Sequence, residues 1–161
     1  MRVSVHKCRS TYHPVPIVGW LIMIAQGMNP FSKKAYDHMS ISYSDRMYDV
    51  TGNTGTDDWA YDYFLSKYKL IESHEFNLDV TDIAFSEFWL EFSGTPYDRL
   101  QIFGLFFKSI GFKKFNTIGN NTSRLICNEL VIVYLKRFHG FIYEDSDNFD
   151  LIDTWKIAKE Y

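Results

Sequence analysis

The sequence predicts an α+β domain in which a small antiparallel sheet comes first and packed helices follow. Residues 38–43 alternate between apolar and polar side chains, and a short turn joins them to a second strand pattern at 47–50. Apolar residues recur with helical spacing in the C-terminal half, most clearly from Cys127 onwards. These two observations define the predicted class.

Length and composition predict one domain, 1–161, with a core of its own. The 161 residues are 46% hydrophobic and 18% aromatic, which is enough apolar surface for folding without crosslinks. The net charge is −3 and neither sign forms a long run, so no nucleic-acid partner is predicted. Cys8 and Cys127 are too few for a disulfide framework or a cysteine zinc site, which fits a reducing compartment.

The N-terminal segment 1–16 is polar and contains Pro14 and Pro16, so it is predicted to be loosely ordered. The apolar run 17–25 is predicted to be a buried strand. Its nine residues are too few to span a bilayer, and its end is a poor signal-peptide cleavage site. We therefore predict neither a transmembrane segment nor a signal peptide, and a cytoplasmic or virion-associated location.

A hairpin is predicted after a loop at 27–34. The first strand ends at Tyr43, residues 44–46 form the turn, and 47–50 return as the partner strand. Side chains of such a strand point alternately to opposite faces. One predicted face carries Met39, Ile41 and Tyr43, and the other carries His38, Ser40 and Ser42.

The segment 51–80 has weaker signals. Residues 51–58 are rich in Gly, Thr and Asp and predict a loop, from which Asp57 or Asp58 caps a helix over 59–69. The stretch 72–80 is ambiguous, with a strand at 76–80 as one alternative.

The C-terminal half is predicted to be helical. Thr81 introduces a helix that ends near Phe92, and the break at 93–96 precedes a helix from 97 or 98 to 110. A helix from Cys127 is stopped by Gly140. An acidic loop at 141–150 then leads to a tail helix over 151–159.

Cys127 stands at the start of its predicted helix, because the turn at 119–121 precedes it. Unpaired N–H groups and the positive end of the helix dipole favour a thiolate at this position. The alternative is a small buried hydrophobe in the first turn. Cys8, between Lys7 and Arg9 in the polar N-terminal segment, is expected to titrate near the free-thiol value of about 8.5. The apolar face of the Cys127 helix comprises Leu130, Val131, Tyr134, Leu135 and Phe138.

A nucleophilic cysteine needs a base, and His38 is the candidate because a strand fixes its position. The alternative for His38 is a hydrogen-bonded strand histidine. The hairpin places Asp49 on the same face, where a carboxylate orients an imidazole and raises its basicity. Asp49 is otherwise a solvated strand acid, and the register depends on the turn length. The other histidines are predicted to be solvated surface residues: His6, His13, His74 and His139.

Three segments resemble one family. "DHMSISYSDRMYDVTG" (37–52) resembles the strand–turn–strand signature of circularly permuted papain-like cysteine hydrolases. This is the permuted NlpC-type branch, which includes lecithin retinol acyltransferase relatives. "GTPYD" (94–98) is similar to its G-x-P-Y-D segment, and "LICNELVIVYL" (125–135) to its nucleophile helix. The chain order histidine, acid, cysteine is that of the permuted enzymes and reverses the order in ordinary papain. The three segments cover about a quarter of the chain.

The resemblance implies a permuted papain-like fold with a catalytic triad of Cys127, His38 and Asp49, and no metal or organic cofactor. Ser40 replaces the family's Gly, Asp49 its commoner Glu, and Asn128 its Ser. None of these departures removes a group that the mechanism requires. Asp49 is one methylene shorter than the family's Glu.

The implied activity is a cysteine peptidase or amidase that acts through a thioester. The resemblance leaves three substrate classes open: cell-wall peptides, protein conjugates and fatty acyl groups. An amide or peptide bond is the preferred target, and the bacterial or phage cell wall is the first candidate source. The alternatives are a lipid-type thiol acyltransferase and a non-catalytic binding or virion-assembly module. Oligomeric state is not predicted. Glu129 is predicted to be an acid that stabilises the helix dipole, and the pair 97–98 to serve packing and helix capping. The aromatic residues Trp59, Tyr61 and Tyr63 are expected to line a groove or to pack in the core.

Overall fold

The computed structural model describes residues 1–11, 16–98, 124–142 and 150–161, together with Ile102, Gly104 and Phe107. The predicted α+β class is confirmed. No helix in these ranges is both long enough and apolar enough to cross a membrane. The elements whose bounds lie in these ranges are β1 (Arg2–Ser10), α1 (Pro16–Ala25), β2 (His38–Tyr43), β3 (Arg46–Thr51), β4 (Gly55–Ala60), α2 (Tyr61–Leu65), β5 (Tyr68–Asp79), α3 (Asp82–Phe92), α4 (Cys127–His139) and α5 (Leu151–Ala158).

The five strands form one antiparallel sheet in the order β4-β3-β2-β1-β5. The predicted hairpin is confirmed as β2 and β3. Its turn places Ser44 at a φ of 56°, in the left-handed region that tight hairpin turns use. The register pairs Ile41 with Tyr48, so by continuation Asp49 lies opposite Ser40 and diagonal to His38.

Residues 2–10 form an interior strand of the sheet, so the loose order predicted for 1–16 was wrong for this part of the segment. β1 pairs with β2 on one side and β5 on the other. Its polar residues are satisfied by neighbours: the two ring nitrogens of His6 lie 2.7 Å from the Ser73 hydroxyl and 2.8 Å from the Ser42 hydroxyl. His6 is consequently buried, which corrects its assignment to the surface. His13 lies outside the described residues.

The apolar run at 17–25 is helix α1, so the predicted buried strand was also wrong. A short apolar run has no periodicity that separates a buried strand from a helix. Pro16 is favourable at the first helical position, and Gly27 ends the helix at a φ of 70°. Two terminal bonds, from Gly27 N–H to Ile24 O and from Met28 N–H to Met23 O, form a Schellman motif.

The segment 51–69 also differs from prediction. Residues 55–60 form the edge strand β4 instead of a loop, and the helix predicted over 59–69 is the five-residue α2 followed by β5. Gly- and Asp-rich composition suggested a loop, but acidic residues also suit an edge strand because they discourage pairing with other chains. β5 runs through the ambiguous stretch at 72–80 as far as Asp79.

The C-terminal helices agree with prediction. Thr81 caps α3 by accepting the Ala84 N–H, Gly140 ends α4 at a φ of 68°, and Asp150 caps α5. The helix predicted from 97 or 98 to 110 and the acidic loop at 141–150 lie largely outside the described residues. The main core joins the buried face of α4 to one face of the sheet and includes Val5, Met39, Ile41, Phe85, Leu130, Tyr134 and Leu135.

Candidate active site

The two sequence-predicted residues of the hairpin are in direct contact. His38 Nε2 forms a hydrogen bond with Asp49 Oδ1, and only 6% of His38 and none of Asp49 is exposed. The same Asp49 oxygen accepts the Val50 N–H at 2.7 Å. Strand pairing therefore produces a buried and oriented histidine–carboxylate pair, which excludes the solvated-acid alternative for Asp49.

The charges around His38 favour its protonated form. Burial alone lowers the pKa of this imidazole, but it is outweighed by attraction to Asp49, Tyr68 and Cys127, together with the Asp49 hydrogen bond. The net effect holds the pKa of His38 well above its ordinary value of 6.5. A ring that binds a proton this readily is suited to accept one from a thiol.

Tyr68 fixes the plane of the His38 ring. The two rings are stacked with centroids 4.8 Å apart and planes 19° apart. Phe64 stacks on the other side of Tyr68 at 4.5 Å. Sequence reasoning missed Tyr68 because it placed this residue at the end of a helix, and only the pairing of β5 with β1 brings it to His38.

Cys127 is the first residue of α4, as predicted. The preceding Ile126 N–H donates to Glu129 Oε2 at 2.8 Å, so Glu129 acts at the helix start. The "GTPYD" segment holds this start in place through two backbone bonds: Leu125 N–H donates to Pro96 O, and Asp98 N–H donates to Leu125 O. Two of the three segments that carry the family resemblance are thus adjacent in space.

Tyr97 joins the same group of charges. It bridges to Leu125, two residues before Cys127. Burial raises the pKa of its hydroxyl, and Cys127 and Asp49 raise it further while His38 lowers it. Sequence reasoning assigned Tyr97 to packing and helix capping, but its surroundings place it beside the candidate site.

Cys127 and His38 interact electrostatically, although no hydrogen bond joins them. Only 4% of Cys127 is exposed. A cavity of about 10 Å³, enough for one water molecule, adjoins the cysteine. Its lining residues in the described ranges are Ile22, Gln26, Asp37, Ile102, Ile126, Cys127, Asn128, Asp150 and Leu151.

Cys8 requires a correction. It pairs with His38 in the β1–β2 ladder, is fully buried, and lies with its sulfur 3.3 Å from the Ser40 hydroxyl. Burial raises the pKa of this thiol to about 12, so the expected free-thiol titration was wrong. The error follows from treating residues 1–16 as solvated.

The remaining predicted features are distributed around the sheet. Trp59 and Tyr61 pack with Met47, Phe64 and Cys8 in a second apolar cluster, and Tyr63 stacks on Trp59. Within the described ranges, no group of three or more His, Cys, Asp or Glu residues is arranged to hold a metal ion.

Fold and site together define an α+β protein with a buried histidine–aspartate pair and a cysteine at a helix start. Comparison with protein-family models, with curated proteins and with solved structures finds no match.

Proposed function

We propose that this protein is a cysteine hydrolase of the permuted papain-like class, which cleaves an amide or peptide bond through a thioester. Cys127 is the nucleophile, His38 the base and Asp49 the residue that orients it. One observation carries the proposal: the buried His38–Asp49 pair is electrostatically coupled to a thiol at the start of a helix.

The hydrogen-bond pattern of His38 supports its role as a base. Nε2 is engaged by Asp49, whereas Nδ1 makes no hydrogen bond with a described residue. Nδ1 is therefore the nitrogen that exchanges a proton with the thiol and the leaving group. Asp49 Oδ2 is buried without a hydrogen-bond partner among the described residues, so its carboxylate charge relies on His38 for compensation.

The proposed reaction has two stages. Cys127 Sγ attacks the carbonyl carbon as a thiolate whose proton is already on His38 Nδ1, and backbone N–H groups at the start of α4 stabilise the oxyanion. His38 then protonates the leaving amine, the C–N bond breaks and a thioester remains. A water molecule gives a proton to His38 and attacks the thioester, which releases the carboxylic acid and regenerates the thiol.

A non-catalytic binding module is the second candidate. The observation that favours it is the burial of Cys127, which is 4% exposed and adjoins a cavity of about 10 Å³, the size of one water molecule. The two candidates differ in a measurable property, because only the hydrolase requires a reactive Cys127.

The test is covalent labelling with a peptidyl electrophile, followed by hydrolysis assays on cell-wall peptides, peptide conjugates and acyl esters. We expect labelling at Cys127, no hydrolysis by Cys127→Ala, and folded protein in that variant, since removing one thiol costs only about 1 kcal/mol. Hydrolysis by Cys127→Ala would refute the nucleophile assignment. Absence of labelling and of hydrolysis across all three substrate classes would favour the binding module.

The base and the orienter are tested with the substrate or electrophile that reacts. We expect Asp49→Asn to lower the rate less than His38→Ala, because an amide still holds the imidazole in place while loss of the ring removes the base. Full activity in Asp49→Asn would move the orienting role to a neighbour on the hairpin, either Thr51 or Asn53.

A further inference from the structure

Helix α1 is apolar along its whole length, yet one side of it faces solvent. Gly19 and Met23 are buried on the inner side. On the outer side, Trp20, Leu21 and Ile24 are 42%, 43% and 54% exposed. A helix that is apolar on every side is ordinarily covered on every side, so the outer face indicates a binding surface.

The loop after α1 extends this surface. Phe31 is 77% exposed and packs edge-to-face on Trp20, with centroids 5.4 Å apart. Arg9 holds the loop in place by donating to the carbonyl oxygens of Pro30 at 2.6 Å and Ser32 at 3.0 Å. The anchored loop thus holds Phe31 against Trp20 of α1.

The segment that forms this surface is basic, although the net charge of the chain is −3. Residues 16–36 contain two lysines and no acidic residue. Lys33 and Lys34, directly after the apolar loop, are exposed and form no ion pair with a described residue.

We propose that α1 and the loop after it bind the surface of a membrane that contains anionic lipids. Trp and Phe side chains lie favourably at the boundary between headgroups and acyl chains, and neighbouring lysines bind lipid phosphates. This pairing of exposed apolar residues with unpaired lysines favours a lipid surface over a protein partner. The lipid-binding surface consists of Trp20, Leu21, Ile24, Phe31, Lys33 and Lys34.

Lipid binding is independent of the proposed hydrolase activity, but α1 connects the lipid-binding surface with the candidate active site. Ile22 and Gln26, on the inner side of this helix, line the cavity beside Cys127. Attachment through the outer side would therefore hold the candidate site close to the bilayer.

Vesicle co-sedimentation tests the proposal without any substrate. We expect the full chain to bind vesicles of equal parts phosphatidylserine and phosphatidylcholine, and to bind phosphatidylcholine vesicles much more weakly. Replacing both lysines, as Lys33→Gln with Lys34→Gln, should lower the partition coefficient about 25-fold, since each basic residue near an anionic surface contributes roughly a factor of five. Trp20→Ser with Phe31→Ser should abolish binding to both vesicles.

Matched control variants separate this surface from general stickiness. Ile83 and Leu90 on α3 are 74% and 75% exposed, so Ile83→Ser with Leu90→Ser removes similar apolar area and should leave binding unchanged. Lys69→Gln with Lys159→Gln is the control for charge. Circular dichroism checks that each variant is folded.

Three outcomes would overturn the proposal. They are no binding of the wild type, an equal loss in the control variants, and no effect of the lysine substitutions. One further result would assign the surface to a second copy of the chain. It is a dimer in sedimentation velocity that Phe31→Ser dissociates, in a protein that does not bind vesicles.

Discussion

At the scale of single residues, His38 combines three constraints that rarely meet on one side chain. It is buried, it is bonded to a carboxylate, and its ring is stacked on Tyr68 at 4.8 Å. Burial of a cationic ring is costly unless a partner compensates its charge, and Asp49 supplies that partner. The ring is consequently both oriented and basic, two properties that a proton acceptor needs.

Alkylation of the two cysteines tests the site without knowledge of the substrate. We expect iodoacetamide to modify Cys127 in the folded protein, because the helix start and protonated His38 both favour its thiolate. Cys8 should stay unmodified until the protein unfolds, because it is fully buried and burial raises its pKa to about 12. Site-resolved mass spectrometry in the wild type and in His38→Ala provides the measurement.

Comparison of the wild type with His38→Ala tests whether His38 affects the reactivity of Cys127. Cys127 should be alkylated more slowly in this variant, whereas Cys8 should remain protected. An inert Cys127, or an alkylation rate that does not respond to His38→Ala, would contradict the catalytic pair. Modification of Cys8 in the folded protein would contradict its burial.

At the scale of secondary-structure elements, edge strand β4 is joined to the segment that leads towards the candidate site. The Thr56 N–H donates to Thr95 O at 2.9 Å, and the Gly94 N–H donates to Thr56 O at 3.3 Å. Gly55 is close to the same carbonyl: a Cβ at this position would lie 2.3 Å from Thr95 O. Close backbone approach therefore explains the glycine at the start of β4.

Two glycines with the same backbone angle separate conformational cost from steric cost. Gly55 and Gly94 both have a φ of 76°, but a Cβ at Gly94 would meet no atom within 4 Å. We expect Gly94→Ala to lower the free energy of unfolding by about 1 kcal/mol, the cost of the left-handed conformation. Gly55→Ala should cost about 3 kcal/mol, because the backbone of residue 95 must also move. Urea denaturation measures both, and equal losses would contradict the close approach.

At the scale of the whole molecule, the sheet buries two histidines whose pKa values shift in opposite directions. Burial lowers the pKa of His6 to about 4, whereas the surroundings of His38 hold its pKa well above 6.5. Both residues return to a pKa near 6.5 when the chain unfolds. The free energy of unfolding should therefore fall below pH 6.5 because of His6 and above pH 6.5 because of His38.

Stability should be greatest near pH 6.5. The contribution of His6 is present above pH 6.5 and is lost as the pH falls towards 4, because the unfolded chain then binds the extra proton; its full size is about 3 kcal/mol. The contribution of His38 is present below pH 6.5 and is lost as the pH rises through its raised pKa. Urea denaturation across this pH range measures the curve.

Two variants assign the arms of this curve. His6→Asn should flatten the acid side and His38→Asn the alkaline side. Above pH 9 the Cys8 thiol adds a loss of the same sign as His38, since its folded pKa is about 12. A stability curve whose acid side is unchanged by His6→Asn would contradict the neutral buried state of His6.

The sequence by itself determined the features that depend on near neighbours. The β2–β3 hairpin, α3 and α4 follow from local periodicity and end signals, and the hairpin alone brings His38 to Asp49. Cys127 was placed at its helix start for the same reason. His38 and Asp49 are only eleven residues apart and a short turn joins their strands, so local structure alone brings them together.

Tertiary structure decided the features that depend on distant partners. β1 is a strand because β2 and β5 satisfy its polar residues, and α1 is a helix although its apolar run carries no periodicity. The surroundings of Cys8, Tyr68 and Tyr97 depend on pairings with residues far along the chain. Their burial, and hence the raised thiol pKa and the stacking on His38, arises because strand pairing excludes water only after the whole sheet has assembled.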